Sequence, residues 1–189
     1  MGKPDTKLSS EHRISDYKRL KKAKDKLGIA RLVELRLCER YVHPVESSLA
    51  KNGFASMALA CLLIETIQSF REGLPDTHRK SRAMFVKFFN EDRRFTAFAP
   101  FADDFYYDVR CGLLHQGEAR KGWTIMRYRD EALFDPTLKR IHATRFLRRV
   151  RNSLNDYCAS LTAADWKSEL WQNCLKKMDA IVCNCDALN

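Results

Sequence analysis

Fourteen consecutive residues, Asp104 to Gly117, hold two aspartates, two tyrosines, an arginine, a cysteine and a histidine. A histidine titrates near neutral pH and serves as general acid or base. An arginine keeps its charge and offers a donor fork that matches two phosphate oxygens. Metal-free cleavage of an RNA phosphodiester asks for that pair. A proton leaves the 2′-hydroxyl, charge builds on a phosphorane, and the departing 5′-oxygen is protonated. Arg110 and His115 are the residues here that supply those roles. A second chemistry sits on the same stretch, because Cys111 and His115 are four apart and form a thiol–imidazole pair with Asp108 nearby. That cysteine lies mid-helix, away from the helix N-terminus that would activate it.

The spacing predicts one helix that stops at Gly117. On a straight helix, Phe101, Phe105, Val109 and Gly112 share the core face. Asp104, Asp108, Cys111 and His115 form a polar ridge beside it. Arg110 stands about 140° from His115, with Tyr107 and Leu114 between them. The two therefore meet on one substrate only if the long Arg110 side chain swings round, the helix distorts near Gly112, or a second copy packed on Tyr107 and Leu114 supplies one of them. Asp108 is too far from His115 along one helix to bond it, but orients an imidazole across such a seam. Glu65 is the other carboxylate of interest, and Arg120 and Lys121 are placed to hold flanking phosphates. The plainer roles stand beside these. His115 caps a helix C-terminus, where a cation is favoured, and Arg110 pairs with Glu118 or with a carboxylate from another helix.

The elements that must position these residues follow from apolar periodicity. Few glycines (seven) and prolines (five) in 189 residues favour long helices over many short strands. Helices are expected over 31–43, 54–70, 77–90, 104–117, 143–161 and 165–182, the second apolar almost all round in its first half and so central. Alternating β-formers near 123–141, broken by Asp135-Pro136, predict a small β-hairpin insertion. The expected fold is all-α: a single-domain antiparallel bundle of about five to six helices carrying that insertion. Residues 1–30 hold nine Lys and Arg against four Asp and Glu, a net of +5, which is half of the chain's formal +10. They read as a basic arm tracking a phosphate backbone, or as a solvated helix before a domain spanning 31–189. The charge points to a polyanion, with RNA the expected partner.

Seven cysteines, an odd number lying mostly on apolar faces, suit buried thiols in a reducing compartment. Cys183-Asn184-Cys185 is not a zinc spacing, so neither metal nor cofactor is expected. The longest apolar run, Met57 to Ile64, is too short for a membrane span, and Met-Gly-Lys-Pro-Asp has no signal core behind it. A cytoplasmic location without membrane contact follows as the expectation.

Arg110-Cys111-Gly112-Leu113-Leu114-His115 resembles the R-x4-6-H motif of HEPN domains, small helical bundles of prokaryotic defence and toxin systems and of several RNA-processing enzymes. The acidic helix position in Leu63-Ile64-Glu65-Thr66-Ile67, the polar turn at Gly117 and the late striped helix Phe146 to Leu161 are similar too. The resemblance spans roughly residues 50–162. It implies a metal-independent endoribonuclease acting on single-stranded RNA as a homodimer through the 104–117 helix, with an antitoxin or other regulatory protein as a possible partner. Active members commonly carry a polar residue after the arginine. Cys111 stands there, so the same resemblance also fits a catalytically silent module that binds RNA, a nucleotide or a protein.

Overall fold

The computed structural model describes residues 5–48, 50, 52–128 and 132–187. The first four residues of the expected basic arm and residues 129–131 of the expected hairpin lie outside these. The chain is mostly helical with a small three-stranded sheet.

A core helix has to be apolar over most of its surface, and the stretch Gly53–Arg71 is so through its first half, up to Ile64. This helix, α4, buries Met57, Ala60, Leu63, Ile64, Ile67 and Phe70. It packs on α2 (Lys26–Tyr41), α5 (Ser81–Glu91), α8 (Ala143–Ala163) and α9 (Glu169–Ala187). It is long and apolar enough to cross a membrane, and 61% of that window is buried inside the fold. Helix α8 presents the expected stripe, with Phe146, Val150, Leu154, Tyr157 and Leu161 all buried. On α9, Trp171, Cys174 and Met178 repeat it, and the Trp171 indole N–H donates to the Leu161 carbonyl at 2.8 Å.

Residues 1–30, expected as an arm, contribute to the core. Helix α1 (Ile14–Ala23) buries Ile14, Tyr17 and Leu20 at a spacing of three, and Leu8 is fully buried. Lys24 ends α1 in the left-handed conformation, and the Asp25 side chain caps α2 by accepting the Gly28 N–H. Pro44 sits in the first turn of a short helix α3 (His43–Glu46) that follows α2 after Val42.

The link after α5 is a 3₁₀ helix over Arg93–Phe101 that drives Phe95 and Phe98 inward. They join Phe85, Phe89, Phe105 and Phe146, with ring centroids 5.0–6.4 Å apart around Phe89 and Phe98.

The expected hairpin near 123–141 is corrected to a mixed sheet of order β1-β3-β2. Strands β2 (Phe134–Asp135) and β3 (Arg140–His142) do pair antiparallel around an Asp135 turn. Strand β1 (Thr124–Met126) instead lies parallel to β3 on its other side, Ile125 opposite Ile141. Trp123 stacks on Phe134 with centroids 5.6 Å apart, which anchors the entry to β1 against the aromatic core.

His142 ends β3 and caps α8, its Nδ1 accepting the Arg145 N–H at 3.3 Å. Burial, backed by the charges of Arg145 and Arg127, pulls its pKa below the ordinary value of 6.5. The unfolded chain therefore binds the proton first as pH falls through about 6.5. The cap's contribution is complete above that value and declines below it. Thermal melts between pH 7.5 and pH 5 should show wild type losing midpoint faster than His142→Asn, whose amide oxygen accepts the same N–H at any pH. Parallel curves would remove His142 from the acid response.

Candidate functional site

The segment from Ala102 to Gln116 is helical throughout but not uniform. It opens with α6 (Ala102–Asp104), widens into a π-helical stretch over Phe105–Arg110, and ends as α7 (Cys111–Gln116). The Cys111 N–H accordingly reaches back five residues to the Tyr106 carbonyl. Such widenings occur disproportionately at functional sites.

Gly117 closes α7 with φ +71°, its N–H donating to the Gly112 carbonyl. The chain then doubles back along the helix, and the Arg120 N–H donates to the Asp108 carbonyl at 2.9 Å. Gly112 permits this return, because a Cβ there would stand 2.4 Å from the Glu118 carbonyl oxygen.

Arg110 points to α4. Its Nε lies 2.7 Å from Glu65 Oε1, and the two side chains are only 14% and 7% exposed. Thr77 donates to the other Glu65 oxygen at 3.3 Å. The guanidinium also stands over the Tyr106 ring, 5.6 Å from its centroid, with Nη1 4.0 Å from the Cys111 sulfur. Burial works against the Arg110 charge, and the bond to Glu65 more than offsets it, so its pKa lies above the ordinary arginine value. Burial, then Cys111, likewise push the Tyr106 phenol up. Of the roles open to Arg110, pairing with a carboxylate of another helix is the one realised. From its sequence Tyr106 reads as a packing residue, and its spacing of four from Arg110 marks it as a neighbour. The contribution of Thr77 carries no such mark.

Asp108 departs from the polar ridge on which the straight helix places it. Asp104 and His115 are exposed and Cys111 is half-buried, but Asp108 is buried. The returning 118–121 segment covers it. Lys121 Nζ and Arg120 Nη2 lie 3.5 and 3.7 Å from its Oδ1, and the Arg120 guanidinium also donates to the Tyr107 carbonyl. Both cations expected at flanking phosphates thus have an intramolecular anchor, though the Lys121 side chain remains 74% exposed.

His115 is exposed in the last turn of α7, and no hydrogen bond or ion pair to it occurs among the described residues. One chain therefore brings together Arg110, Glu65, Tyr106 and Cys111, and separately Asp108, Arg120 and Lys121. It gives neither cluster to His115. The Cys111 thiol meets Arg110 rather than His115. Tyr107, on the face between Arg110 and His115, is 49% exposed. The Arg82 guanidinium stands 6.0 Å from its ring while gripping Asp103 through two bonds of 2.7 Å. Among the described residues no group of three or more His, Cys, Asp and Glu is placed to hold a metal ion. Comparison with protein-family models, with curated proteins and with solved structures gives no match for this chain.

Proposed function

We propose that this chain is a HEPN-type, metal-independent endoribonuclease for single-stranded RNA, working as a homodimer through the 104–117 segment. The observation that carries the reading is the Arg110–Glu65 bond of 2.7 Å. It joins the arginine of the motif to the acidic helix position that accompanies the motif in the resemblance. A guanidinium fixed by a buried carboxylate and an aromatic face is preorganised for a phosphorane, and needs little rearrangement as charge develops. His115, exposed a turn and a half further on, supplies the proton transfer. Two copies meeting over Tyr107 and Leu114 place both pairs at one seam. On this reading the mostly helical domain is an all-α antiparallel bundle in the HEPN manner, and an antitoxin or other regulatory protein covers the seam in the cytoplasm.

Incubation of the purified protein with a labelled single-stranded RNA in EDTA tests this. The expected products carry 2′,3′-cyclic phosphate and 5′-hydroxyl ends. Saturable RNA binding without any cleavage would leave the silent-module reading instead. Cys111 beside Arg110, half-buried and in contact with its Nη1, is the observation that favours that alternative.

A further inference from the structure

Asp108 takes no part in the chemistry proposed for Arg110 and His115, yet its side chain is only 2% exposed. A buried carboxylate needs donors, and a charge-assisted bond from nitrogen is about 2.7–2.9 Å long. Lys121 Nζ and Arg120 Nη2 stop at 3.5 and 3.7 Å from Asp108 Oδ1. Among the described residues no donor meets that oxygen in the geometry of a hydrogen bond. The Nε–H of the same Arg120 guanidinium is also buried without an acceptor. The attraction is therefore charge on charge, with a donor and an acceptor both left unmet within it.

The two cations are held differently. Arg120 is built in: its main-chain N–H donates to the Asp108 carbonyl at 2.9 Å, and its guanidinium donates to the Tyr107 carbonyl. Lys121 is 74% exposed, and among the described residues its one ion pair is with Asp108. Its backbone is left-handed, with φ +48°, and Gly122 follows at +81°. A lysine adopts that conformation at a cost, and here it sets the side chain over the helix. An ion pair so open to water is weak. A phosphate offers the same ammonium an equivalent anion and releases counterions as well. Departure of Lys121 does not strand Asp108, because a shift of about an ångström closes Arg120 into a full hydrogen bond.

We propose that Asp108 is an internal stand-in for a phosphate. It holds Lys121 in the free protein and yields it to a backbone phosphate of single-stranded RNA, closing on Arg120 as it does so. This exchange presupposes RNA as the ligand of the segment, as proposed above, but not its cleavage. RNA binding is weakened by whatever it costs to draw Lys121 away, so Asp108 sets the affinity without touching the strand.

The test is fluorescence anisotropy of a labelled 2′-O-methyl oligoribonucleotide, which has no 2′-hydroxyl proton to lose, bound to the full chain at several salt concentrations. Lys121→Ala should take about 0.7 from the slope of log affinity against log salt, the share of one single-strand phosphate contact. Lys121→Arg should keep the wild-type slope. Asp108→Asn should tighten binding roughly two- to five-fold, the strength of a partly exposed ion pair. In the Lys121→Ala background the same change should leave affinity where it was, because the cation it frees is gone. Asp108→Ser, smaller and equally uncharged, should repeat both results, so a folding defect in one neutral variant does not decide the matter. An unchanged slope in Lys121→Ala overturns the exchange. Weaker binding by a folded Asp108→Asn overturns it too, since Asp108 would then support the lysine rather than compete for it. A gain that survives in Lys121→Ala does the same, being only the loss of a negative charge. Cleavage of unmodified RNA, followed in parallel, separates the two ideas. The affinity pattern in a chain that does not cleave keeps the exchange and removes the nuclease, whereas cleavage without the pattern does the reverse.

Discussion

His115→Ala is expected to lower the rate of RNA cleavage by roughly 10²–10⁴-fold, the usual contribution of a positioned acid or base. The imidazole is exposed and makes no bond within the described residues, so its removal leaves no cavity and no orphaned partner. Folding stability should stay within about 0.5 kcal/mol of wild type, as for surface positions in general. That separation makes the variant informative. Loss of activity with an unchanged thermal midpoint assigns His115 to proton transfer, and retention of full activity removes the motif from the chemistry. Arg110→Ala would be a poorer choice, because it strands Glu65 in the core and mixes a catalytic loss with a folding one.

Glu65→Ala should destabilise the protein by about 3–5 kcal/mol, the range for breaking a buried ion pair from one side. The partner left behind is a guanidinium only 14% exposed, with the Tyr106 ring but, among the described residues, no other carboxylate beside it. Glu65→Gln should cost less, since its amide oxygen still accepts the Arg110 Nε–H. Removing both partners with Glu65→Leu and Arg110→Met should recover much of the loss, because no charge then remains buried and only the half-buried Thr77 hydroxyl loses its acceptor. Urea midpoints at a common slope give the comparison. A cost under about 1 kcal/mol for Glu65→Ala would show that Arg110 reaches water unaided, and that the pair does not preorganise the site. The same substitution should also lower cleavage, since the arginine would then have to be ordered during the reaction.

Helix positions were legible in the chain because apolar periodicity is a local signal. The expected helices over 54–70 and 143–161 match α4 and α8 within a residue or two. The β segment was legible in type but not in pairing. Parallel contact between β1 and β3 joins residues sixteen apart along the chain, such as Ile125 and Ile141, with Trp123 stacked on Phe134 beside it. The first thirty residues show the same limit. Their charge dominates any composition window, yet Leu8, Ile14, Tyr17 and Leu20 suffice to dock them.

For the site, the sequence by itself determined the reactive inventory: Arg110, Cys111 and His115 on one helix, a glycine to end it, and Glu65 as a carboxylate to watch. It also determined that Arg110 and His115 diverge on a straight helix, since that follows from helical pitch alone. Only the tertiary structure decided which carboxylate takes which cation. Asp108 lies two residues from Arg110 along the chain, and Glu65 is 45 residues away. Nevertheless Glu65 holds Arg110, while Asp108 turns inward beneath Arg120 and Lys121. The reason is physical. A buried carboxylate takes the donors that packing brings within reach, and packing here is set by the α4 register and by the chain folding back over Gly112. The stretch that holds all the chemistry is thus divided by its neighbours into an anchored arginine and an exposed histidine.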